Sequence, residues 1–481
     1  MKEIFLRLIP FTFFCLVAFA PSGTRFIWRT GFIDGHAVEP GTISLFAMQL
    51  VALAFAVLVF FTRKIEEWEP FWRRTEVMAA LTLTSFAGLS AVLARDSTAA
   101  LSSWLSLALG VAVFLAILMY RPETHETLAL FAGSGIFQSG FGIWQFLAQE
   151  VAASKWLGIA THTASQAGAF VIETSSGRWL RAYGLLPHPN VYGLIVALGL
   201  LAAVGLAGHR AARLSFERSV TPPGLTPWQR WRFWARTSPL RFYVLLPPLA
   251  VGLVFSFSRS AFVALLTGAI WLAFAAYGSS AALAVRRVAV PCAATVAATL
   301  LIFGLIYAEP LRIRTVAEGR LEEQSIADRF MQVSDAAGLF FEQPLWGVGP
   351  GQMPLRVRAD LDTSRQWWRY DYAHNLPLLI AAETGIIGLG AWLVVVGLGL
   401  QAAFRRLRYR IRYRAMPGGG RVPNLTGTTA FAAGFIALLV SGMLDHFLWT
   451  SWVGQLIFWV VLGMLFVAAE KGSDIGSVEP A

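Results

Sequence analysis

Trp346-Gly-Val-Gly-Pro-Gly351 opens a stretch that continues through Tyr370-Asp-Tyr-Ala-His374-Asn375-Leu and ends in Ala382-Glu-Thr-Gly-Ile-Ile-Gly388-Leu389. In this stretch a polar, charged loop passes directly into a long apolar run, and the titratable His374 stands at the junction. The positive end of a helix dipole disfavours an imidazolium, so we expect His374 to be neutral and able to accept a proton. Asp371 would hold its ring if that turn is helical. The competing interpretation is a histidine that makes only a structural polar contact at a membrane interface.

The composition outside this stretch indicates a polytopic membrane protein. Of 481 residues, 56% are hydrophobic and only 14% are charged, whereas soluble domains carry about 25% charged residues. The formal net charge of +11 does not indicate nucleic-acid binding, because the basic residues fall mostly in loops between apolar runs. Cys15 and Cys292 both lie inside apolar runs, which argues against a disulfide framework or a cysteine metal site.

A spanning helix needs about twenty apolar residues, and the chain offers twelve such runs. They lie at roughly 5–20, 42–62, 77–94, 100–120, 127–148, 188–208, 242–257, 260–278, 288–307, 375–402, 428–444 and 447–469. The sequence therefore predicts an all-α fold, a single integral membrane domain over residues 1–481 with about twelve transmembrane helices.

Loop charge predicts the orientation of this domain. The basic loops 63–74 and 209–241, the pair Arg286 and Arg287, and the run 405–414 share one side, which the positive-inside rule assigns to the cytoplasm together with both termini. Segments 21–41, 149–186 and 308–373 then face outward. Because the last mixes acids and bases, we expect a partly helical periplasmic loop that caps the active site. Residues 470–481 are expected to be a disordered cytoplasmic tail.

Within that cap, residues 320–341 have the pattern of an amphipathic helix that lies over the bundle. Its apolar residues recur at spacings of three to five positions and predict the face in contact with the bundle. They are Leu321, Ile326, Phe330, Val333 and Ala337.

Arginines at membrane depth are costly and are therefore functional candidates. Arg259 stands in Phe255-Ser-Phe-Ser-Arg-Ser-Ala261, a short outward hairpin between two apolar runs. It either contacts an anion or extends to lipid head groups. Arg178 and Arg181 precede Leu185-Leu-Pro-His188-Pro-Asn190 at the start of the sixth run. There His188 lies between two prolines and Asn190 is placed to cap the helix.

Three further motifs are less specific. The glycine-rich Gly347–Gly351 lacks the Lys-Ser/Thr of a phosphate loop, so nucleotide binding is not expected. Asp360-Leu-Asp362 has the two-carboxylate spacing of some metal-dependent transferases, although such a triplet arises easily by chance. Asp445-His446 is either a plain turn or a contributor to the same cavity.

The predicted topology brings Arg181, Arg259 and His374 to the outer boundary of the bilayer. Two fixed cations and a neutral base suit one task well, which is to hold a lipid-linked pyrophosphate while an acceptor hydroxyl is deprotonated. Arginine binds phosphate oxygens bidentately, and a neutralised pyrophosphate is a good leaving group. No catalytic acid is required, because a base with a pKa near neutral is enough.

The order of these motifs resembles the O-antigen ligase and polymerase superfamily. The resemblance extends from about Arg178 to Val396 and rests on Pro187-His-Pro-Asn190, Ser258-Arg-Ser260, Pro344-Leu-Trp-Gly-Val-Gly-Pro-Gly351, His374-Asn375-Leu and Ala382-Glu-Thr-Gly-Ile-Ile-Gly388. It implies a bacterial inner-membrane glycosyltransferase of the all-helical, GT-C-like class with a periplasmic active site. It also implies inverting, metal-independent transfer of a glycan from undecaprenyl pyrophosphate to lipid A-core.

Residue by residue, the resemblance implies that His374 is the base or positions the acceptor, and that Arg181 and Arg259 contact the pyrophosphate. Arg178, His188, Asn190, Asp371 and Asn375 are secondary site candidates. O-antigen polymerases, exopolysaccharide polymerases and O-linked protein oligosaccharyltransferases share much of the pattern and are the alternatives. A transporter of lipid-linked sugars is the non-enzymatic alternative, but the charges crowd one face and no internal repeat is visible.

Overall fold

The computed structural model describes residues 2–63, 68–219, 226, 228, 240–277, 282–317, 319–413 and 425–471. Most of the basic loop 209–241 and residues 472–481 of the tail lie outside the described residues. The described part is mostly helical, and every run predicted as a span coincides with a helix. The helices are α1 (Lys2–Ala18), α2 (Ala47–Thr62), α3 (Trp68–Trp72), α4 (Thr75–Leu93), α5 (Ser97–Tyr120), α6 (Thr124–Ala148), α7 (Pro189–Ser219), α8 (Leu240–Ser256), α9 (Arg259–Tyr277), α10 (Ala282–Ile306), α11 (Ala308–Val316), α12 (Arg320–Glu342), α13 (Met353–Arg356), α14 (Leu376–Tyr413), α15 (Leu425–Gly442), α16 (Phe447–Thr450) and α17 (Trp452–Glu470).

Six of the described helices contain a segment long and apolar enough to cross a membrane. These segments are Thr75–Leu93, Ser97–Tyr120, Pro189–Arg210, Val288–Ile306, Leu376–Phe404 and Trp452–Glu470. Apolar segments of five more, in α1, α2, α8, α9 and α15, are shorter. The fold is therefore that of a polytopic membrane protein, and twelve crossings stay a prediction.

Helices α7 and α17 form the centre of the bundle, since 94% of the apolar part of each is buried. Helix α6, although 25 residues long, carries buried polar side chains in its second half. Gln138 and Gln145 accept hydrogen bonds from the backbone N–H groups of Leu185 and Gly184, at 2.8 Å each. These polar residues reduce the apolar character of α6 and fix the segment that leads into α7.

Strands are the main departure from the all-α expectation. The segment between α1 and α2 is an antiparallel hairpin of β1 (Arg25–Ile33) and β2 (His36–Phe46). Consequently α2 begins only at Ala47, five residues later than the start of the predicted span. The segment before α7 contains two smaller hairpins, β3 (Glu150–Val151) with β4 (His162–Thr163) and β5 (Val171–Thr174) with β6 (Gly177–Leu180). Hydropathy does not register these hairpins, because it detects only long apolar runs.

A break in α14 explains the glycine-rich loop before it. Gly385 has φ 68° and ψ −172°, which interrupts the helix. The backbone carbonyls of Ala382 and Glu383 instead accept hydrogen bonds from the N–H groups of Val348 and Gly349, each at 2.9 Å. A Cβ at Gly385 would lie 2.1 Å from the Leu345 carbonyl oxygen. The Gly347–Gly351 loop is therefore a structural partner of the broken helix.

The segment 308–373 is folded and contains α11, α12 and α13. The prediction of an amphipathic helix over residues 320–341 is confirmed, but the predicted contact face is wrong at Phe330, and its other four residues are only partly buried. Phe330 is 74% exposed, whereas the buried side of α12 consists of Glu322, Gln332, Asp335, Ala336 and Leu339. The cause is that α12 covers a polar cavity, so polar side chains lie on its inner face.

Candidate active site

A cavity of about 1100 Å³ lies at the end of the bundle where α5, α7, α14 and α17 begin. We call it the polar cavity. Residues from the predicted site line it, among them Arg181, His188, Asn190, Asp371 and His374. The N-terminal ends of several helices converge there, an arrangement that favours an anionic ligand. The structure thus brings together residues that lie almost two hundred positions apart.

His374 has a defined tautomer. Its Nδ1 lies 2.8 Å from the Gln332 side-chain oxygen Oε1. An amide oxygen only accepts hydrogen bonds, so Nδ1 carries the proton and Nε2 keeps a free lone pair. Burial lowers the pKa of His374 to about 4, although the nearby Asp445 carboxylate acts in the opposite direction. His374 is therefore neutral at pH 7 and can act as a base through Nε2.

Asp371 does not hold His374 as predicted. The chain is not helical between Asp371 and His374, and the Asp371 carboxylate accepts a hydrogen bond from the Tyr372 N–H at 2.8 Å. Its carboxylate also lies 3.9 Å from Nε2 of His446. Gln332 of α12 takes the orienting role instead. Sequence spacing pointed to a local partner, whereas the actual partner is 42 positions away.

The Asp445-His446 turn also belongs to the polar cavity, so the plain-turn interpretation is incomplete. The rings of His374 and His446 meet edge to face with centroids 4.9 Å apart. Ligand atoms of His374, Asp445 and His446 lie within 4.8 Å of one another and form a group that could hold a cation. The predicted acidic pair is placed elsewhere: Asp360 binds Arg95 and Arg356, and Asp362 binds Arg365.

Arg181 is 4% exposed and connects to this turn through Asn190. Its Nε donates to the Ser256 carbonyl and its Nη2 to the Asn190 side-chain oxygen, each at 2.8 Å. The Asn190 amide then donates to Asp445 at 2.8 Å. Asn190 was predicted to be a cap, but it lies inside the first turn of α7 and bridges a cation to a carboxylate. Burial destabilises the charged guanidinium and lowers the pKa of Arg181, so an anionic ligand would stabilise it.

Arg259 reaches the polar cavity only through other residues and is not among the described residues that line it. Its Nη1 donates to the Arg314 carbonyl oxygen at 3.2 Å, and its Nη2 lies 3.4 Å from Glu322. Glu322 also pairs with the Arg314 guanidinium. Two arginines thus share one buried carboxylate, which leaves an excess of positive charge beside the cavity.

Arg329 is a cation that the sequence analysis did not single out. It lies on the inner side of α12, one turn before Gln332, and lines the polar cavity. The described residues give it no ion pair or hydrogen bond. Burial and the neighbouring Arg314 lower its pKa. The only sequence signal was its helical spacing from Glu322, Ser325 and Gln332, which places these polar residues on one side of α12.

The remaining candidates have mainly structural contacts. His188 accepts a hydrogen bond at Nδ1 from the Asn190 N–H, 2.9 Å away, at the start of α7. The Asn375 side chain accepts from the Leu378 N–H at 3.1 Å and begins α14. Arg178 is exposed at the rim of the cavity and donates to the Ser165 carbonyl at 3.3 Å. Trp367 and Trp368 also line the cavity, and aromatic rings of this kind can pack against sugar rings.

Fold and site together define a polytopic helical membrane protein with a polar cavity, lined by both arginines and carboxylates, at one end of its bundle. A family model described as O-antigen ligase matches residues 244–393. This match confirms the resemblance to the O-antigen ligase and polymerase superfamily, whose members are glycosyl-transferring enzymes. The matched segment contains Arg259 and His374, whereas Arg181 precedes it and Asp445 follows it. A comparison with curated proteins found no significant match.

Proposed function

We propose that this protein is a metal-independent, inverting glycosyltransferase that moves a glycan from undecaprenyl pyrophosphate to a hydroxyl of lipid A-core. The observation that carries this proposal is the shared cavity of a neutral histidine, with the proton on Nδ1, and a buried arginine to which no carboxylate of the described residues is directly paired. The family match supports a lipid-linked glycan donor and a glycan acceptor in general. We place the chain in the bacterial inner membrane with this cavity facing the periplasm.

The donor pyrophosphate would bind to the arginine side of the polar cavity. Arg181 and Arg329 line that side directly. Arg259 and Arg314 add positive charge around Glu322. Guanidinium groups bind phosphate oxygens in pairs of hydrogen bonds and stay charged. They would hold the donor and stabilise the negative charge that develops on the leaving pyrophosphate.

The acceptor hydroxyl would be activated at His374. Its proton moves to Nε2 as the hydroxyl oxygen bonds to the anomeric carbon, and the bond from that carbon to the pyrophosphate oxygen breaks. The lipid pyrophosphate leaves with the electron pair of the broken bond. The Asp445 carboxylate, close to the ring, would stabilise the imidazolium that forms.

Replacement of His374 tests this assignment. We expect His374→Ala to reduce transfer by about 10²-fold or more in membranes supplied with lipid-linked donor and acceptor, because a positioned base contributes at least that factor. His125→Ala is the matched control, since His125 begins α6 at the opposite end of the bundle. Full activity of well-expressed His374→Ala would remove the base from the proposal.

The arginines are tested through donor dependence. We expect Arg181→Ala and Arg329→Ala to raise the KM for the lipid-linked donor by about tenfold, with only partial recovery in the lysine variants. Arg73→Ala is the control, because its side chain is 78% exposed at the other end of the bundle. Unchanged donor KM in both variants would contradict pyrophosphate binding.

Two further measurements define the reaction. Transfer should persist in excess chelator, and strict dependence on a divalent cation would instead indicate a metal held by His374, Asp445 and His446.

Cells lacking the protein should lose polymer attached to lipid A-core. Loss of polymer length with attachment intact would indicate a polymerase instead.

A further inference from the structure

The polar cavity has a second region, which differs in chemistry from the arginine side. Its residues are uncharged and combine hydroxyl, amide and indole groups. We call it the neutral lobe and define it by Ser102, Ser103, Ser106, Trp449, Trp452 and Gln455, all of which line the cavity. We infer that the neutral lobe binds the acceptor as a neutral pyranose ring, and this inference rests on the proposed function.

The serines of α5 offer hydrogen-bond acceptors to the neutral lobe. The Ser103 hydroxyl donates to the Ala99 carbonyl at 3.3 Å, and the Ser106 hydroxyl donates to the Ser102 carbonyl at 3.4 Å. Both hydroxyl protons thus point to backbone carbonyls one turn earlier in α5. The lone pairs of the two hydroxyl oxygens can then accept hydrogen bonds from a ligand. The Ser106 oxygen already accepts one hydrogen bond, from the Gln49 amide at 2.8 Å.

The first turn of α17 offers two polar atoms that lack a protein partner. Trp452 is 2% exposed and Gln455 is 4% exposed. Among the described residues, the Trp452 indole Nε1 and the Gln455 oxygen Oε1 have no hydrogen-bond partner, whereas the Gln455 amide nitrogen donates to the Trp449 carbonyl. Buried polar groups are nearly always paired. A sugar hydroxyl both donates and accepts, so it can pair with an indole N–H or with an amide oxygen.

Trp449 adds an aromatic surface beside these groups. Its indole N–H is already donated to Glu383 at 2.8 Å, so its ring face is what it can offer to a ligand. Aromatic faces pack against the apolar C–H faces of pyranose rings. The combination of an aromatic face with hydroxyl and amide groups matches a neutral sugar better than a phosphate, because the six residues of the lobe include no cation.

The neutral lobe connects to His374 by direct contacts. His446 lies edge to face with His374, and its Nδ1 is 2.8 Å from the Thr450 hydroxyl, between Trp449 and Trp452. A different route leads from His374 through Asp445 and Asn190 to Arg181. The base therefore stands at the junction of the two regions. An acceptor in the neutral lobe would present its hydroxyl to Nε2 while the donor pyrophosphate stays with the arginines.

The experiment measures transfer by the full-length protein in proteoliposomes, with lipid-linked donor and lipid A-core varied separately. We expect Trp452→Phe and Ser103→Ala each to raise the KM for the acceptor by about threefold to tenfold, the effect of one lost hydrogen bond. The KM for the donor should stay within about twofold of the wild-type value. Ser103→Ala preserves the shape of the site, and Trp452→Phe removes the indole N–H while it keeps an aromatic ring, so a rise in the acceptor KM alone is not expected from a general loss of structure.

Trp144→Phe and Ser85→Ala are matched controls, because both side chains are exposed on helices away from the cavity. They should leave both KM values unchanged. An unchanged acceptor KM in Trp452→Phe and Ser103→Ala, or a rise in donor KM instead, would overturn the inference while leaving the proposed transferase intact. Absence of transfer by the wild-type protein would overturn the proposed function itself.

Discussion

His374 takes its chemistry from side chains that two separate elements supply. Gln332 of α12 fixes the proton on Nδ1, and Asp445, between α15 and α16, is close enough to stabilise a protonated ring. Burial under α12 keeps the resting ring neutral. The base is therefore a property of the covered cavity rather than of the loop that carries it.

This arrangement predicts the acid limb of the pH–rate profile. Because burial lowers the pKa of His374 to about 4, the neutral base persists well below pH 6.5. Transfer should be level between about pH 6 and 7.5 and should fall only as the pH approaches the lowered value. The measurement is kcat/KM for the donor against pH, which reports the pKa values of the free enzyme. A limb centred near pH 6.5 would show that the ring is solvated and would contradict the buried base.

The same shift has a consequence for stability. The unfolded chain binds a proton at His374 near pH 6.5, whereas the folded chain does so only near pH 4. Between these values the unfolded state binds more protons, so the free energy of unfolding decreases as the pH falls through this window. Below the folded-state pKa this contribution becomes constant.

The sequence predicted the central histidine and Arg181 but missed most of their partners. His374 was visible because a titratable residue at the start of an apolar run is unusual. Gln332 and Arg329 were not visible, since nothing local links α12 to α14. For Asp445 the sequence left two interpretations open, a plain turn or a contribution to the same cavity. Contacts between residues that are distant in sequence depend on packing, which hydropathy and motif order do not encode.

At the scale of elements, the broken helix α14 determines where His374 lies. The break at Gly385 frees carbonyls that bind the Gly347–Gly351 loop, and the buried Glu383 carboxylate accepts hydrogen bonds from the Gly351 N–H and the Trp449 indole at 2.9 and 2.8 Å. The first turns of α14 are thereby joined to the turn that carries Asp445 and His446. An unbroken helix would lose this connection.

Gly385→Ala tests the role of the break. The alanine Cβ would meet the Leu345 carbonyl at 2.1 Å in a left-handed backbone conformation, so we expect destabilisation of about 2 kcal/mol or more and reduced transfer. Gly390→Ala, in the same helix, is the control. A Cβ at Gly390 would have no neighbouring atom of the described residues within 4 Å, and alanine is more favourable than glycine inside a helix by about 1 kcal/mol. Thermal unfolding in detergent compares the two. Equal unfolding temperatures would show that the break is not required.

Hydropathy predicted the existence of the long helices but not every boundary. The span predicted to begin at residue 42 starts at Ala47, because the preceding residues belong to β2. The amphipathic pattern of α12 was also recognised, but its inner face was assigned to the apolar residues. An amphipathic helix turns its apolar residues inward when it packs on an apolar core. This rule fails for a helix that covers a polar cavity.

For the whole molecule, the proposed chemistry depends on which end of the bundle faces the periplasm. Arg73 and Arg74 mark one end, where Arg74 pairs with Glu470 at the end of α17. The polar cavity lies at the other end, where α17 begins. Charge bias assigns the first end to the cytoplasm. An undecaprenyl-linked donor presented in the periplasm can be used only if this assignment is correct.

Cysteine labelling tests this orientation directly. The chain contains only Cys15 and Cys292, so a cysteine-free background needs two substitutions. In that background Lys155→Cys lies in the exposed loop between β3 and β4, at the cavity end, and Arg73→Cys lies at the opposite end. A membrane-impermeant maleimide added to spheroplasts should label position 155 and reach position 73 only after permeabilisation. The reverse pattern would place His374 and the arginines in the cytoplasm, where a base and a pyrophosphate site could not serve periplasmic transfer.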